Sequence, residues 1–103
     1  MFGLKPTDIE YIINILSKHP EVEIALMYGS RAMGNYKPGS DVDLALKGKY
    51  MTDSIALNIA VELNEHSPLP YMFDVVSFPS LTNQALIEHI NHHGKSVYTQ
   101  TTR

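Results

Sequence analysis

A chain of 103 residues, 44% apolar and 18% charged, has the size and balance of one globular domain over residues 1–103, able to bury about two-thirds of the surface its unfolded chain would expose. A net charge of −3 with no cluster of Lys or Arg argues against a polyanion-binding surface, so polymeric nucleic acid is not the expected partner. There is no Cys for a disulfide framework or thiolate zinc site, no hydrophobic leader after Met1 and no bilayer-length apolar run, so a soluble cytoplasmic protein without membrane attachment is expected.

Thr7 and Glu10 stand at capping-box spacing, and Ile9, Ile12, Ile13 and Leu16 recur at helical intervals, which predicts a helix from residue 7 to about 18, closed by His19-Pro20. The apolar run 22–28 predicts a strand buried on both faces and broken by Gly29. Residues 30–34 suit a helical turn or two, and 35–40 (Asn-Tyr-Lys-Pro-Gly-Ser) a surface loop. Polar and apolar residues alternate over 41–46, a second strand.

Ile55, Ile59 and Leu63 place a helix over about 52–66, stopped by Ser67-Pro68-Leu69-Pro70, and 71–77 reads as a third strand. Leu86, Ile87 and Ile90 mark a last helix over about 81–93 with Gly94 as its cap; 96–98 adds a small edge strand, and the tail from Thr99 is expected to fray. Helices alternating with strands argue for an α/β or α+β sheet covered by helices.

The chemistry concentrates in three places. Side chains two apart on a strand share a face, so Asp41 and Asp43 lie together, opposite Val42 and Leu44. Carboxylates this close repel unless a cation lies between them, and hard divalent cations prefer such oxygens. Asp74 interrupts an apolar strand, where an unpaired buried carboxylate would cost several kcal/mol, so it too needs a partner. If its strand lies beside the second, three carboxylates could hold two metal ions ~4 Å apart, the arrangement for in-line displacement at phosphorus. Gly29-Ser30 offers a backbone free of bulk and then N–H groups at a helix start for a triphosphate, and Arg31 a planar fork for phosphate oxygens.

Each feature has a plainer reading. Asp-x-Asp alone is as often a solvated turn, Asp74 could be salt-bridged to Lys or Arg, and Arg31 could be a surface arginine. His89, His92 and His93 lack the Glu of a zinc-protease pattern and read as exposed residues on the helix dipole. Tyr28, Tyr36 and Tyr98 suit a base stack less well than core or interface packing.

Taken together, Gly29-Ser30-Arg31-Ala32, Gly34 and Ser40-Asp41-Val42-Asp43-Leu44, with ten residues between Ser30 and Asp41, resemble the signature of the polymerase-β-type nucleotidyltransferase superfamily. The short length and the Gly-Ser-Arg-Ala start are most similar to its minimal nucleotidyltransferases, which include antitoxins encoded beside HEPN-domain toxins. The resemblance implies the nucleotidyltransferase fold, a short mixed sheet flanked by helices. It implies Gly29 and Ser30, with Arg31, as nucleotide-binding residues, and Asp41, Asp43 and Asp74 as metal ligands and catalytic carboxylates.

The activity expected from it is metal-dependent transfer of a nucleoside monophosphate, AMP from ATP, to a hydroxyl, with two Mg²⁺ ions or alternatively Mn²⁺. With no added acceptor domain, the acceptor would be a tyrosine of a partner HEPN toxin, making the chain an antitoxin. Two alternatives stay open: a non-catalytic module that neutralises the toxin by binding, and transfer to a small molecule. Apolar area on the first and last helices would suit an oligomer or partner contact.

Overall fold

Helix α1, Pro6–Ser17, starts one residue earlier than the Thr7–Glu10 pattern indicates. Lys5 is its N-cap and Pro6 its first residue, where the missing proline N–H removes no helical bond. The Asp8 carboxylate reaches back to accept from the Lys5 N–H at 3.2 Å, so Asp8 rather than Glu10 closes the first turn. These and all other coordinates come from a computed structural model that describes residues 1–101.

Four strands follow: β1 (Ile24–Tyr28), β2 (Val42–Lys47), β3 (Phe73–Ser77) and β4 (Lys95–Thr99). Their order in the sheet is β3-β2-β1-β4, with β1 antiparallel to both β2 and β4, and β2 parallel to β3. The expected mixed sheet flanked by helices is thus the observed one. Antiparallel β1 and β2 are joined through α2 (Ser30–Met33) and a loop, whereas the parallel step needs a crossover, supplied by α3 (Asp53–Glu65). Thr52 caps α3, its Oγ1 accepting from the Ile55 N–H at 3.3 Å.

The last helix is shorter than its periodicity suggests. Pro79 lies in a 3₁₀ turn, Phe78–Ser80, and α4 runs Gln84–His93 from an Asn83 cap whose Oδ1 accepts from the Leu86 N–H at 3.0 Å. The chain does not fray at Thr99, which pairs with Ile24 in β4. Gln100 donates from its backbone to Glu23 O at 2.7 Å and from Nε2 to Pro20 O at 2.8 Å. The rest of the expected frayed tail, 102–103, lies outside the described residues.

Strand alternation divides the sheet between two unequal cores. One face buries Ala25, Met27, Val42, Leu44, Leu46 and Phe73 against Ile12 and Leu16 of α1 and Ile59 and Leu63 of α3. Each fully buried aliphatic side chain there contributes about 1.5–3 kcal/mol. The other face carries a small cluster of Tyr28, Ala45 and Ile90, covered by α4 and the Phe78 turn. The thicker core fixes the sheet, leaving the end of the thinner face open for polar groups. The outer edge of β3 is closed by Asn64 of α3, which donates to Phe73 O at 2.9 Å and accepts from Phe73 N–H at 2.8 Å.

Candidate active site

Register brings the acidic residues together. Asp43 stands directly beside Asp74 across the parallel β2–β3 pair, and across β1 it faces Tyr28, so the three share one row of the sheet. Neighbouring strands are about 4.8 Å apart, which makes the two carboxylates immediate neighbours. Asp41 lies just ahead of β2 and is exposed. Asp74 is exposed as well, because β3 is an edge strand. The desolvation that a buried Asp74 would suffer does not arise, and no salt bridge involves it among the described residues.

Asp43 is the residue under electrostatic stress. Its carboxyl is pushed up to about 6, first by burial, then by the charges of Asp74 and Asp41, with Arg31 acting in the opposite direction. The same burial, reinforced by Asp74 and Asp43, holds the Tyr28 hydroxyl well above the ordinary phenol value, so Tyr28 stays neutral in the site.

Gly29 ends β1 with φ +74° and ψ −154°, a conformation open to glycine and strained for other residues. Its open side faces the Asp43 carboxylate, which occupies the space a β-carbon would take. Ser30 then begins α2, a four-residue helix closed by Gly34 in the left-handed region. The Gly29 N–H is already engaged: it donates to Nε2 of His89 at 3.0 Å. His89, expected to be exposed, is instead half-buried and packs edge-on against Tyr28, with ring centroids 6.0 Å apart. His92 and His93 are exposed near the end of α4, as expected. The only hint in the sequence is that His89 lies three residues after Leu86, beside the apolar stripe; a bond spanning 60 residues leaves no local pattern.

Arg31 points the other way, into the protein. It is 2% exposed. Nε and Nη2 donate to Ser40 O at 3.2 and 2.8 Å, and Nη1 donates to Phe2 O at 2.8 Å. The rings of Tyr36 and Tyr71 flank the guanidinium, each with its centroid 5.3 Å from Cζ. The reading of Arg31 as a surface arginine therefore fails. Its fork is engaged on the carbonyls of Phe2 and of Ser40, the residue before Asp41.

Among the described residues, no three His, Cys, Asp or Glu side chains form a ready cage for a metal ion. The donor set nevertheless suits a hard divalent cation: Asp43 and Asp74 are adjacent oxygen donors with unrelieved repulsion, and the glycine leaves open backbone beside one of them. Mg²⁺ characteristically takes one or two carboxylates and completes its shell with water and substrate phosphate, so an incomplete protein shell fits it.

A family model described as "Polymerase beta, Nucleotidyltransferase" matches residues 10–103. No curated protein sequence matches the chain significantly. Among solved structures, a toxin-antitoxin complex with AMP-PNP contains a chain of TM-score 0.75 at 23% identity, the alignment covering 90% of this chain and 74% of that one. A tri-AMPylated Shewanella oneidensis HEPN toxin in complex with its MNT antitoxin gives 0.71 at 20%, covering 94% and 74%. The toxin-antitoxin pair MntA-HepT gives 0.71 at 20%, covering 93% and 74%. At these identities the structural likeness establishes the fold.

Proposed function

The chain belongs to the polymerase beta nucleotidyltransferase family, and on that premise we propose that it transfers AMP from ATP to a hydroxyl group of a protein partner. One observation carries the reading: Asp43 and Asp74 are in register on adjacent strands beside the Gly29-Ser30 turn. In the reaction the acceptor oxygen bonds to the α-phosphorus, the bond from that phosphorus to the bridging oxygen breaks, and pyrophosphate leaves.

Asp41, Asp43 and Asp74 would hold divalent metal, Mg²⁺ or Mn²⁺, which when bound offsets charge on the phosphates and lowers the acceptor hydroxyl's pKa. Asp74 is exposed and without an ion-pair partner among the described residues, so its carboxylate is open to ligate the metal or, in place of that, to take the hydroxyl proton. Asp43 binds most firmly in its ionised form, and a cation relieves the repulsion that raises its pKa. Ser30 offers its N–H and hydroxyl to the triphosphate. Arg31 supports the same site by fixing Ser40 and hence the start of Asp41, whatever contact it makes to phosphate.

The acceptor we propose is a tyrosine of a HEPN-domain partner, which would make this chain its antitoxin. Support comes from the fold shared with an antitoxin solved beside a tri-AMPylated HEPN toxin. The test incubates the chain with Mg²⁺, labelled ATP and the product of the adjacent reading frame. Label should pass to a tyrosine of that partner, and Asp41→Asn and Asp43→Asn should abolish the transfer. Equal neutralisation of the partner by both variants, without label, would instead identify a binding module.

A further inference from the structure

Among the described residues, His89 is the one side chain that hydrogen-bonds to the backbone of the Gly29-Ser30 turn, and nothing in the family signature calls for it. Its Nε2 accepts the Gly29 N–H at 3.0 Å, so the ring is unprotonated at that nitrogen, and any ring hydrogen sits on Nδ1. The ring is held in place from two sides, by its edge-on contact with buried Tyr28 and by its place on α4 one residue before Ile90, which is 1% exposed. Such a group is pre-aimed.

The bond has two consequences. First, it removes the Gly29 N–H from the set of donors that could meet a phosphate, leaving the Ser30 N–H and Oγ as the turn's contribution. Second, it pins one conformation, φ +74° with ψ −154°, out of the many open to a glycine, whose backbone freedom is lost when the turn is fixed. The Asp43 carboxylate crowds one side of Gly29, and His89 secures its N–H on the other.

We propose that His89 is a positioning residue for nucleotide binding: it fixes the Gly29-Ser30 turn through the Gly29 N–H, keeps that bond when nucleotide is bound, and so directs the triphosphate to Ser30. The proposal rests on the nucleotide-binding reading of the site. It assigns α4, the thin cover of the sheet's second face, a direct part in shaping the turn.

The test uses the whole chain with Mg²⁺ and a non-hydrolysable ATP analogue. In ¹⁵N-labelled wild-type protein, a scalar coupling across the hydrogen bond between Gly29 N and His89 Nε2 should be present, and should persist at saturating nucleotide. Loss of the coupling on nucleotide binding, with the Gly29 N–H turned to the phosphate, overturns the proposal whether or not any variant folds. In parallel, His89→Leu removes the acceptor and should weaken nucleotide binding about tenfold, which is about 1.4 kcal/mol and within the range of one hydrogen bond. His89→Gln returns an amide oxygen near the position of Nε2 and should recover most of the loss, which a purely packing role would not produce.

Affinity in His89→Leu equal to or tighter than wild type overturns the positioning role while leaving the nucleotide-binding reading intact. Failure of the wild-type chain to take up nucleotide with Mg²⁺ removes both together.

Discussion

The carboxylate of Asp43 fills the space that a side chain on Gly29 would need. Strand end and the Asp43 carboxylate are therefore packed as one unit, and a single methyl at residue 29 should disturb both. Gly29→Ala is expected to lose about 2 kcal/mol or more, from the positive φ together with displacement of the carboxylate. Gly34 also has positive φ, +85°, but a β-carbon there would meet nothing within 4 Å, so Gly34→Ala should cost only about 1 kcal/mol. Urea denaturation of the two variants compares them directly. Equal losses would show that the contact with Asp43 is unimportant.

Asp43 should make the free protein less stable as the pH rises. Its folded-state carboxyl titrates near 6 against an ordinary value of 3.8, so between these values the native state holds the proton more tightly than the unfolded chain. Stability from this group is full below about pH 4, falls as pH rises through 6, and is level above. Asp43→Asn should therefore be more stable than wild type at pH 7, by about 1–2 kcal/mol once solvent screening at a partly exposed site is allowed for. Thermal melts from pH 4 to 7.5 should show the gap opening with pH. A wild type that gains stability relative to the variant over that range would refute the burial and repulsion assigned to Asp43.

Arg31 should matter to folding before it matters to nucleotide. Arg31→Lys keeps the charge but cannot reproduce a fork that reaches both Ser40 O and Phe2 O between two tyrosine rings. The expected loss is about 1–3 kcal/mol without any ligand, with faster amide exchange in the 35–40 loop. A variant as stable as wild type that lost only nucleotide affinity would restore the direct phosphate role.

Asn64 holds the placement of Asp74 from outside the site. Removing its amide leaves Phe73 N–H and C=O without their side-chain partners at the outer edge of β3, one residue before Asp74. Asn64→Ala should cost about 1–2 kcal/mol, and the Phe73 amide should exchange faster than in wild type. Unchanged protection at Phe73 would mean that the strand edge is secured by something else.

What the sequence alone determined is what short-range chemistry encodes. Periodicity and breakers located the four α-helices and four strands of the described residues, and the alternation around Val42 and Leu44 set Asp43 on the opposite face, while Asp41 lies just ahead of the strand. Glycine and serine at residues 29 and 30 marked the turn. Cap positions were less legible: Lys5-Pro6 started α1 ahead of Thr7, and Pro79 with Asn83 delayed α4 to Gln84, because competing start signals within one turn are settled by small energies. Only the tertiary structure decided which strands became neighbours, and hence that Asp74 stands beside Asp43 on an exposed edge and not in a buried strand. It also decided which way Arg31 turned and that His89 reached Gly29. Those outcomes depend on contacts between segments far apart in the chain, where the free energy of packing two faces together selects the partner and no local pattern records the choice.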